Sequence, residues 1–137
     1  MGLVQTQITL KNGGDVASAQ RGYIKKQDIR EVTLTALVDT GAGTLVINED
    51  IRQKLGLAVE GLRKSELADG KKQVFQVTEP VRIYWRDRNT ACPALVLPEA
   101  SGALLGAIPL EDMDLIVHPA KNILTGAHGD EVLCCIK

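Results

Sequence analysis

The sequence is poor in aromatic residues and in long apolar runs, and each shortage narrows the classes of protein that it can encode. Aromatic residues make up 3% of the 137 residues, so aliphatic side chains must fill the core. The longest apolar runs, such as residues 94–97 and 115–117, are far shorter than the roughly 20 residues that a transmembrane helix needs. We therefore expect a protein with no membrane partner.

The sequence also lacks an excess of charge of either sign. It has 16 Lys and Arg against 17 Asp and Glu, with a formal net charge of -1 at pH 7. A nucleic-acid-binding protein of this size would carry a basic surface, so we expect no nucleic-acid partner. The length suits a single domain over residues 1–137, and the 45% of hydrophobic residues is typical of a globular core.

Cysteine is scarce, with only Cys92, Cys134 and Cys135. The two neighbours would point to opposite faces of a strand and are poor candidates for a bridge to each other. The N-terminus shows no secretory signal, so a reducing cytoplasm is the simplest location. A Cys/His metal site is the alternative, but neither His118 nor His128 has ligand spacing to a cysteine pair. We expect no metal and no cofactor.

Period-2 alternation of apolar and polar residues predicts β-strands along most of the chain. The predicted strands cover residues 5–10, 32–37, 44–47, 81–85, 92–97, 115–117, 123–125 and 132–136, with 81–85 and 92–97 paired across a polar turn at 86–89. A hairpin is predicted around Asp69-Gly70, a strong turn signal. The α/β alternation of a parallel sheet is absent, so a mainly antiparallel, barrel-like β domain fits best.

Helices are predicted at only two places. One short helix follows the N-cap residue Asn48 and ends at Gly56. A second helical turn covers residues 109–113, with Pro109 at its first position. Residues 11–15 have turn chemistry, and residues 25–30 read as a solvated bend.

Asp39 is the candidate for chemistry, because a carboxylate there ends an apolar strand and enters the Gly-containing loop Thr40-Gly41-Ala42-Gly43. An Asp in this place is either a turn former that binds its own backbone or a carboxylate held in a low-dielectric site for catalysis. Spacing alone favours the turn former. Asp112 and Asp114 are predicted to be solvated.

Two further segments change that balance. Residues 37–42, Leu-Val-Asp-Thr-Gly-Ala, resemble the active-site signature of the retroviral-type (retropepsin-like) aspartic proteases, as in a cellular or prokaryotic member of that family. Residues 104–106, Leu-Leu-Gly, resemble the segment that packs behind the active-site loop in that family. The Asp69-Gly70 hairpin lies between them, where the family has its flap.

The resemblance implies a mainly β, single-domain, closed β-barrel of the acid protease fold with one or two short helices. It implies an aspartic endopeptidase, in which two carboxylates about 3 Å apart share one proton and serve as base and acid toward a water molecule and a peptide. Because the chain contains one Asp-Thr-Gly, the second Asp39 must come from a homodimer.

The resemblance also assigns roles to other residues of the site. Thr40 would hydrogen-bond across the two-fold axis, and Gly41, Ala42 and Gly43 would line the binding site for an extended peptide or protein substrate. Ala68, Asp69 and Gly70 would form the flap tip. The methyl group of Ala42 cannot donate to the carboxylate as a Ser hydroxyl could, which predicts a mildly acidic to near-neutral pH optimum.

The sequence departs from the family in two places. Retroviral enzymes usually carry an Asp where Gly43 stands and an Arg where Ala107 stands, and those two side chains pair. Because both charged residues are absent, neither leaves an unpaired buried charge. The alternative to a protease is a catalytically weak or inactive dimerisation or peptide-binding module with the same fold. The strand that joins the dimer is predicted to be residues 132–136, or else residues 4–10.

Overall fold

The computed structural model describes residues 3–98 and 102–133, and most of them lie in short β-strands. The strands of this part of the chain are β1 (Gln5–Asn12), β2 (Glu31–Val38), β3 (Leu45–Ile47), β4 (Val59–Glu66), β5 (Lys72–Thr78), β6 (Val81–Trp85), β7 (Arg88–Cys92), β8 (Ala94–Val96), β9 (Ala103–Leu105), β10 (Leu115–His118) and β11 (Ile123–Gly126). The α-helices are α1 (Gly13–Gln20), α2 (Glu49–Leu55) and α3 (Ala107–Asp112), and short 3-10 turns cover Lys26–Asp28 and Pro119–Lys121.

The mainly β prediction is confirmed, whereas closure into a barrel is not seen. The order of strands in the main sheet is β4-β5-β8-β3-β9-β2-β1-β6-β7, with β10 and β11 forming a separate pair. This order is linear, so within the described residues the sheet has two edges, at β4 and β7. Most neighbours are antiparallel, but β2 with β9 and β3 with β8 are parallel.

The position of β9 is the feature of the sheet that builds the site. β2 and β3 are consecutive in sequence, yet β9 lies between them and pairs with both. Val38 is opposite Leu105 in the parallel pair, and Val46 is opposite Leu104 on the other side. The loop that joins β2 to β3 must therefore pass the end of β9.

Aliphatic side chains fill the core, as the shortage of aromatic residues requires. The alternation predicted for β1 and β6 is confirmed, because Ile8 and Leu10 of β1 and Val81 and Ile83 of β6 are all at most 1% exposed. Trp85 is also buried, and its indole N–H donates to the hydroxyl of Thr6 at 2.8 Å. Each buried aliphatic side chain stabilises the sheet by about 1.5–3 kcal/mol relative to an exposed one.

Helix α2 follows the sequence prediction at both ends. The side chain of Asn48 accepts from the backbone N–H of Ile51 at 2.8 Å, and Gly56 ends the helix with a left-handed φ of 62°. Ile51 and Leu55 lie on the buried face. None of the three described α-helices has the length and hydropathy to cross a membrane.

Two predictions, for residues 11–15 and for residues 92–97, are wrong. Residues 11–15 are not a turn: β1 runs to Asn12, whose side chain caps α1 by accepting from the N–H of Asp15 at 3.0 Å. The Gly-Gly pair hides this helix start, because glycine has low helix propensity. The segment 92–97 is two strands divided by Pro93: β6 pairs with β7 across Arg86-Asp87, while β8 joins β3 and β5.

The C-terminal part also departs from expectation. Helix α3 begins at Ala107, so Pro109 is its third residue instead of its first. Strands β10 and β11 lie where predicted. Val132 and Leu133 are not in a strand, and the remainder of the predicted strand 132–136, like Cys134 and Cys135, lies outside the described residues.

The alternative dimer strand, residues 4–10, stays a prediction: β1 has partners on both sides at residues 9–11, whereas residues 5–8 pair only with β2. The prediction that Asp114 is solvated is wrong. The side chain of Asp114 is 12% exposed and accepts from Nδ1 of His128 and the N–H of Leu133. Asp112 is exposed as predicted, although it also accepts from the hydroxyl of Thr90 at 2.5 Å.

Candidate active site

Asp39 stands where β2 ends, and three backbone contacts fix it. Its N–H donates to the carbonyl of Leu105 at 3.0 Å, which continues the pairing of β2 with β9. Its own carbonyl accepts from the N–H of Ala42 at 3.1 Å. The Oδ1 atom accepts from the N–H of Gly41 at 2.9 Å. The contact expected of a turn former is thus present, and it leaves the other carboxylate oxygen available to a ligand.

The start of α3 holds the rest of this loop. The N–H groups of Ala107 and Ile108 donate to the carbonyls of Ala42 and Gly43 at 2.8 and 3.0 Å. Gly106 is essential to this contact, because a Cβ atom there would lie 2.2 Å from the carbonyl oxygen of Thr44 and 2.6 Å from that of Ala42. Residues 104–106 therefore pack behind the Asp39 loop, as the resemblance implies.

The residues that support the Asp39 loop from the core side are buried. The hydroxyl of Thr44, which is 6% exposed, donates to the carbonyl of Pro93 at 2.9 Å. The thiol of Cys92 lies behind it, and burial raises the pKa of this thiol, with hydrogen bonds from Thr44 and Leu45 acting in the opposite direction. A buried neutral thiol is a poor nucleophile, so Asp39 stays the candidate reactive group of this region.

A β-hairpin of β4 and β5, here called the flap, reaches over the loop. The turn lies at the predicted residues: the N–H of Leu67 donates to the carbonyl of Lys71 at 2.7 Å, and the N–H of Gly70 donates to the carbonyl of Leu67 at 2.9 Å. Gly70 has a φ of 84°, which a side chain would strain, and Oδ1 of Asp69 accepts from the N–H of Lys71. The tip is a well-defined tight turn.

A cleft of about 950 Å³ separates the flap from the Asp39 loop. Of the predicted site residues, Asp39, Gly41, Ala42, Gly43 and Ala68 line it. The other three do not line it in the single chain: Thr40 is exposed at the start of the loop, and Asp69 and Gly70 are exposed at the flap tip.

Sequence reasoning missed most of the cleft wall. The apolar part consists mainly of Val46, Leu67, Phe75, Leu95, Leu97, Leu104 and Ile108, and the polar part includes Arg63, Ser65 and Glu66. Counting back from the Asp69-Gly70 turn in steps of two shows that Arg63 and Ser65 share one face of β4, but it does not show that this face is turned to the loop. No such rule gives the contributions of β3 and β8, because their places in the sheet depend on the whole topology.

The arrangement offers one carboxylate at the base of a covered cleft. Within residues 3–98 and 102–133, no three His, Cys, Asp or Glu side chains are grouped so that they could hold a metal ion. A carboxylate alone can act as a base toward water, but protonation of a leaving amine requires an acid as well. Asp39 of a single chain could therefore supply one member of such an acid–base pair.

Comparisons with known proteins agree with this geometry. Residues 26–119 match the family described as aspartyl protease. The structure is similar to the crystal structure of the retroviral protease-like domain of Ddi1 from Leishmania major, with a TM-score of 0.56, 14% sequence identity, and coverage of 91% of this chain and 88% of that chain. No curated protein matches the sequence at a significant level. Because the family match covers more than half of the chain, this chain belongs to the aspartyl protease family, and its fold is retropepsin-like.

Proposed function

We propose that the protein is an aspartic endopeptidase whose active site forms when two copies of the chain bring their Asp39 carboxylates together. The observation that carries this proposal is the position of Asp39: β9 and α3 hold its loop rigidly at the base of a cleft that a flap covers. A merely structural turn would not require a cleft of this kind above it.

The chemistry follows from a pair of carboxylates that share one proton. The ionised carboxylate takes a proton from water, and the resulting hydroxide attacks the carbonyl carbon of the scissile peptide bond. The protonated carboxyl group stabilises the oxyanion, and a proton then passes to the amide nitrogen, so that the C–N bond breaks and the leaving group departs as an amine. The two groups exchange protonation states over the cycle, so their titration belongs to the pair.

Exposure of the loop supports the homodimer. Asp39 is half-buried, whereas the neighbouring Thr40 and Gly41 are exposed. Ile108, which is bonded to the same loop through its backbone, is 57% exposed and gives this surface an apolar side chain that a partner could cover. A two-fold axis beside Asp39 would cover this surface and would let Thr40 of each chain bond across it.

The cleft suits an extended peptide. Gly41 and Gly43 leave backbone groups accessible beside Asp39, and the flap could add a strand-like layer of hydrogen bonds from above. The apolar wall would bind aliphatic or aromatic substrate side chains. Closure of the flap would exclude water from the reacting groups.

The first experiment compares the wild type with Asp39→Asn on a peptide library at pH 4–8. We expect the wild type to cleave some members, with an optimum at mildly acidic to near-neutral pH, and the variant to lose all measurable cleavage. Because Asn has the same shape and can still accept from Gly41, the dimer should persist in sedimentation analysis of both proteins. Equal turnover by the two proteins would overturn the proposal.

A second function has one observation in its favour. The N–H of Ala107 donates to the carbonyl of Ala42, and the carbonyl of Gly43 accepts from the N–H of Ile108, so both residues belong to the contact between the loop and α3. Neither Gly43 nor Ala107 has the charged side chain that retroviral enzymes usually carry there. A peptide-binding or dimerisation module would tolerate this loss. Tight binding of a statine peptide by the dimer, together with no cleavage of any library member, would favour that function.

A further inference from the structure

Arg63 occupies a distinctive place on the flap. It lies in the middle of β4 and lines the cleft together with Ser65, two residues further on, as the period of a strand requires. Its cross-strand partner in β5 is Phe75, which is 7% exposed and also lines the cleft. The aliphatic stem of Arg63 can therefore pack along Phe75 while its guanidinium group faces the solvent of the cleft.

The charge of Arg63 has no partner in the described part of the chain. Several other arginines there are engaged: Arg30 pairs with Asp15, and Arg52 pairs with Glu49. None of the ion pairs or side-chain hydrogen bonds within residues 3–98 and 102–133 includes Arg63. An arginine with five free N–H donors beside an apolar wall is suited to bind a carboxylate in a bidentate manner.

We infer that Arg63 is a specificity-determining residue that selects substrates with an acidic side chain at a distance from the bond that is cut. This inference rests on the proposed function. The preferred ligand is an extended peptide that combines apolar side chains, for the wall of the cleft, with a Glu or Asp opposite Arg63.

The strand geometry gives the approximate position of that acidic residue. Leu67 at the flap tip lies above the Asp39 loop, and Arg63 is four residues before it, which corresponds to about 13 Å along a strand. An extended peptide advances by about the same distance in four residues. Because a two-fold axis places one Arg63 at each end of the site, the acidic residue can lie on either side of the scissile bond.

Glu66, close to the flap tip, is expected to disfavour acidic substrate side chains near the scissile bond. Glu66 is among the residues that line the cleft, one residue before Leu67. A second acidic side chain near the scissile bond would meet a like charge there, and this repulsion disfavours it. The charges of the flap thus favour acid at the periphery of the substrate and disfavour it at the centre.

The test uses pairs of peptides that differ only by Glu or Gln, with the substituted position scanned over five residues on each side of the cleaved bond. For the wild type we expect kcat/KM to be about tenfold higher for Glu at the best peripheral position, the size of one charge-assisted hydrogen-bonded contact. This preference should weaken as the salt concentration rises. Arg63→Ala should give equal rates for Glu and Gln, and Arg63→Glu should favour Gln.

Matched variants separate specificity from folding. Lys64 is the next residue of β4, is exposed and does not line the cleft, so Lys64→Ala removes one positive charge from the outer face and should keep the full preference for Glu. Arg63→Lys should keep part of it. The inference is wrong if the wild type shows no preference at any scanned position, or if Arg63→Ala keeps the preference.

Failure of the proposed function would be recognised separately. If the wild type cleaves no peptide at all, the same Glu and Gln peptides can be compared by fluorescence polarisation as ligands. Tighter binding of the Glu peptides that Arg63→Ala abolishes would then support the role of Arg63 without catalysis. Equal binding of the two sets would overturn it.

Discussion

Gly106 determines how closely β9 and α3 can approach the Asp39 loop. We predict that Gly106→Ala destabilises the fold by about 2–3 kcal/mol, because backbone atoms of Ala42 and Thr44 occupy the space of the new methyl group and cannot move independently. The free energy of unfolding in urea would measure this. Gly43 lies in the same loop with open space around its Cβ position, so Gly43→Ala should change stability by less than about 0.5 kcal/mol. Similar losses in both variants would contradict the account.

Asp15 makes the stability of the fold depend on pH. Its carboxylate accepts from the backbone N–H of Arg30 at 3.0 Å and from Nε and Nη2 of its guanidinium at 2.8 and 2.9 Å. The side-chain hydrogen bond from Arg30 is the main cause that holds the pKa of Asp15 below its usual value. Since the folded pKa is lower than the unfolded one, the stabilisation is complete above the ordinary pKa of Asp and is lost as the pH falls through the folded value.

We therefore predict that Asp15→Asn is less stable than the wild type by about 1 kcal/mol at pH 7, a modest value because the arginine is half exposed. The difference should shrink as the pH falls from 5 to 2. Melting temperatures measured across this range would show it. Arg30→Gln should behave alike, and the double variant should add little. A constant difference between wild type and Asp15→Asn down to pH 2 would contradict the linkage.

At the scale of single residues, the sequence revealed roles that depend on local chemistry. Asn48, Gly70 and Asp39 are examples, because a cap, a tight turn and a carboxylate that bonds its own loop involve neighbours in sequence. Arg63 and Phe75 were not predicted as parts of the site. Their role depends on which face of the flap is turned to the loop, and only the tertiary structure shows this.

Arg88 joins elements that are distant in sequence. It is 6% exposed, and its guanidinium donates to the carbonyls of Met113 and Asp114 at 2.8 Å and also to those of Gly129 and Glu131. Strand β7 is thereby connected both to the end of α3 and to the C-terminal segment. All four acceptors are backbone carbonyls, and each would lose this hydrogen bond without the guanidinium group of Arg88.

We predict that Arg88→Ala destabilises the protein by about 3 kcal/mol, because several partly buried carbonyls lose their partners at once. The segment after β11 should also become more sensitive to limited proteolysis. Arg88→Lys should recover only part of the stability, since an ammonium group cannot reach both sets of carbonyls with fixed geometry. Urea midpoints with mass-spectrometric mapping of the cuts would test this, and an unchanged midpoint and cleavage pattern in Arg88→Ala would contradict it.

At the scale of elements, the sequence predicted helix α2 and the flap well, since each has local start and stop signals. It missed α1, whose two glycines resemble a turn, and it joined β7 to β8 because both strands have the same alternation on either side of Pro93. The parallel pairs of β9 with β2 and of β8 with β3 connect distant segments. Such non-local pairing leaves no signal in a short window of sequence.

The whole molecule, as a single chain, holds one Asp39 at the base of one cleft. The fold class could be predicted from the strand pattern and from three motifs in the right order. The linear order of the sheet could not, because whether a sheet closes into a barrel depends on pairing between its two ends. In the proposed function, activity depends on a two-fold partner. Each chain is predicted to be inert without it.

Mixing wild-type chains with Asp39→Asn chains tests this central claim most directly. After exchange of subunits, kcat/KM per total protein is measured as the wild-type fraction is varied, with Lys64→Ala as an active control partner. If both Asp39 side chains of a dimer are needed, activity should follow the square of the wild-type fraction, so that an equal mixture keeps about one quarter of it. A linear fall to one half at the same mixture would show that each chain works alone, and would contradict the account.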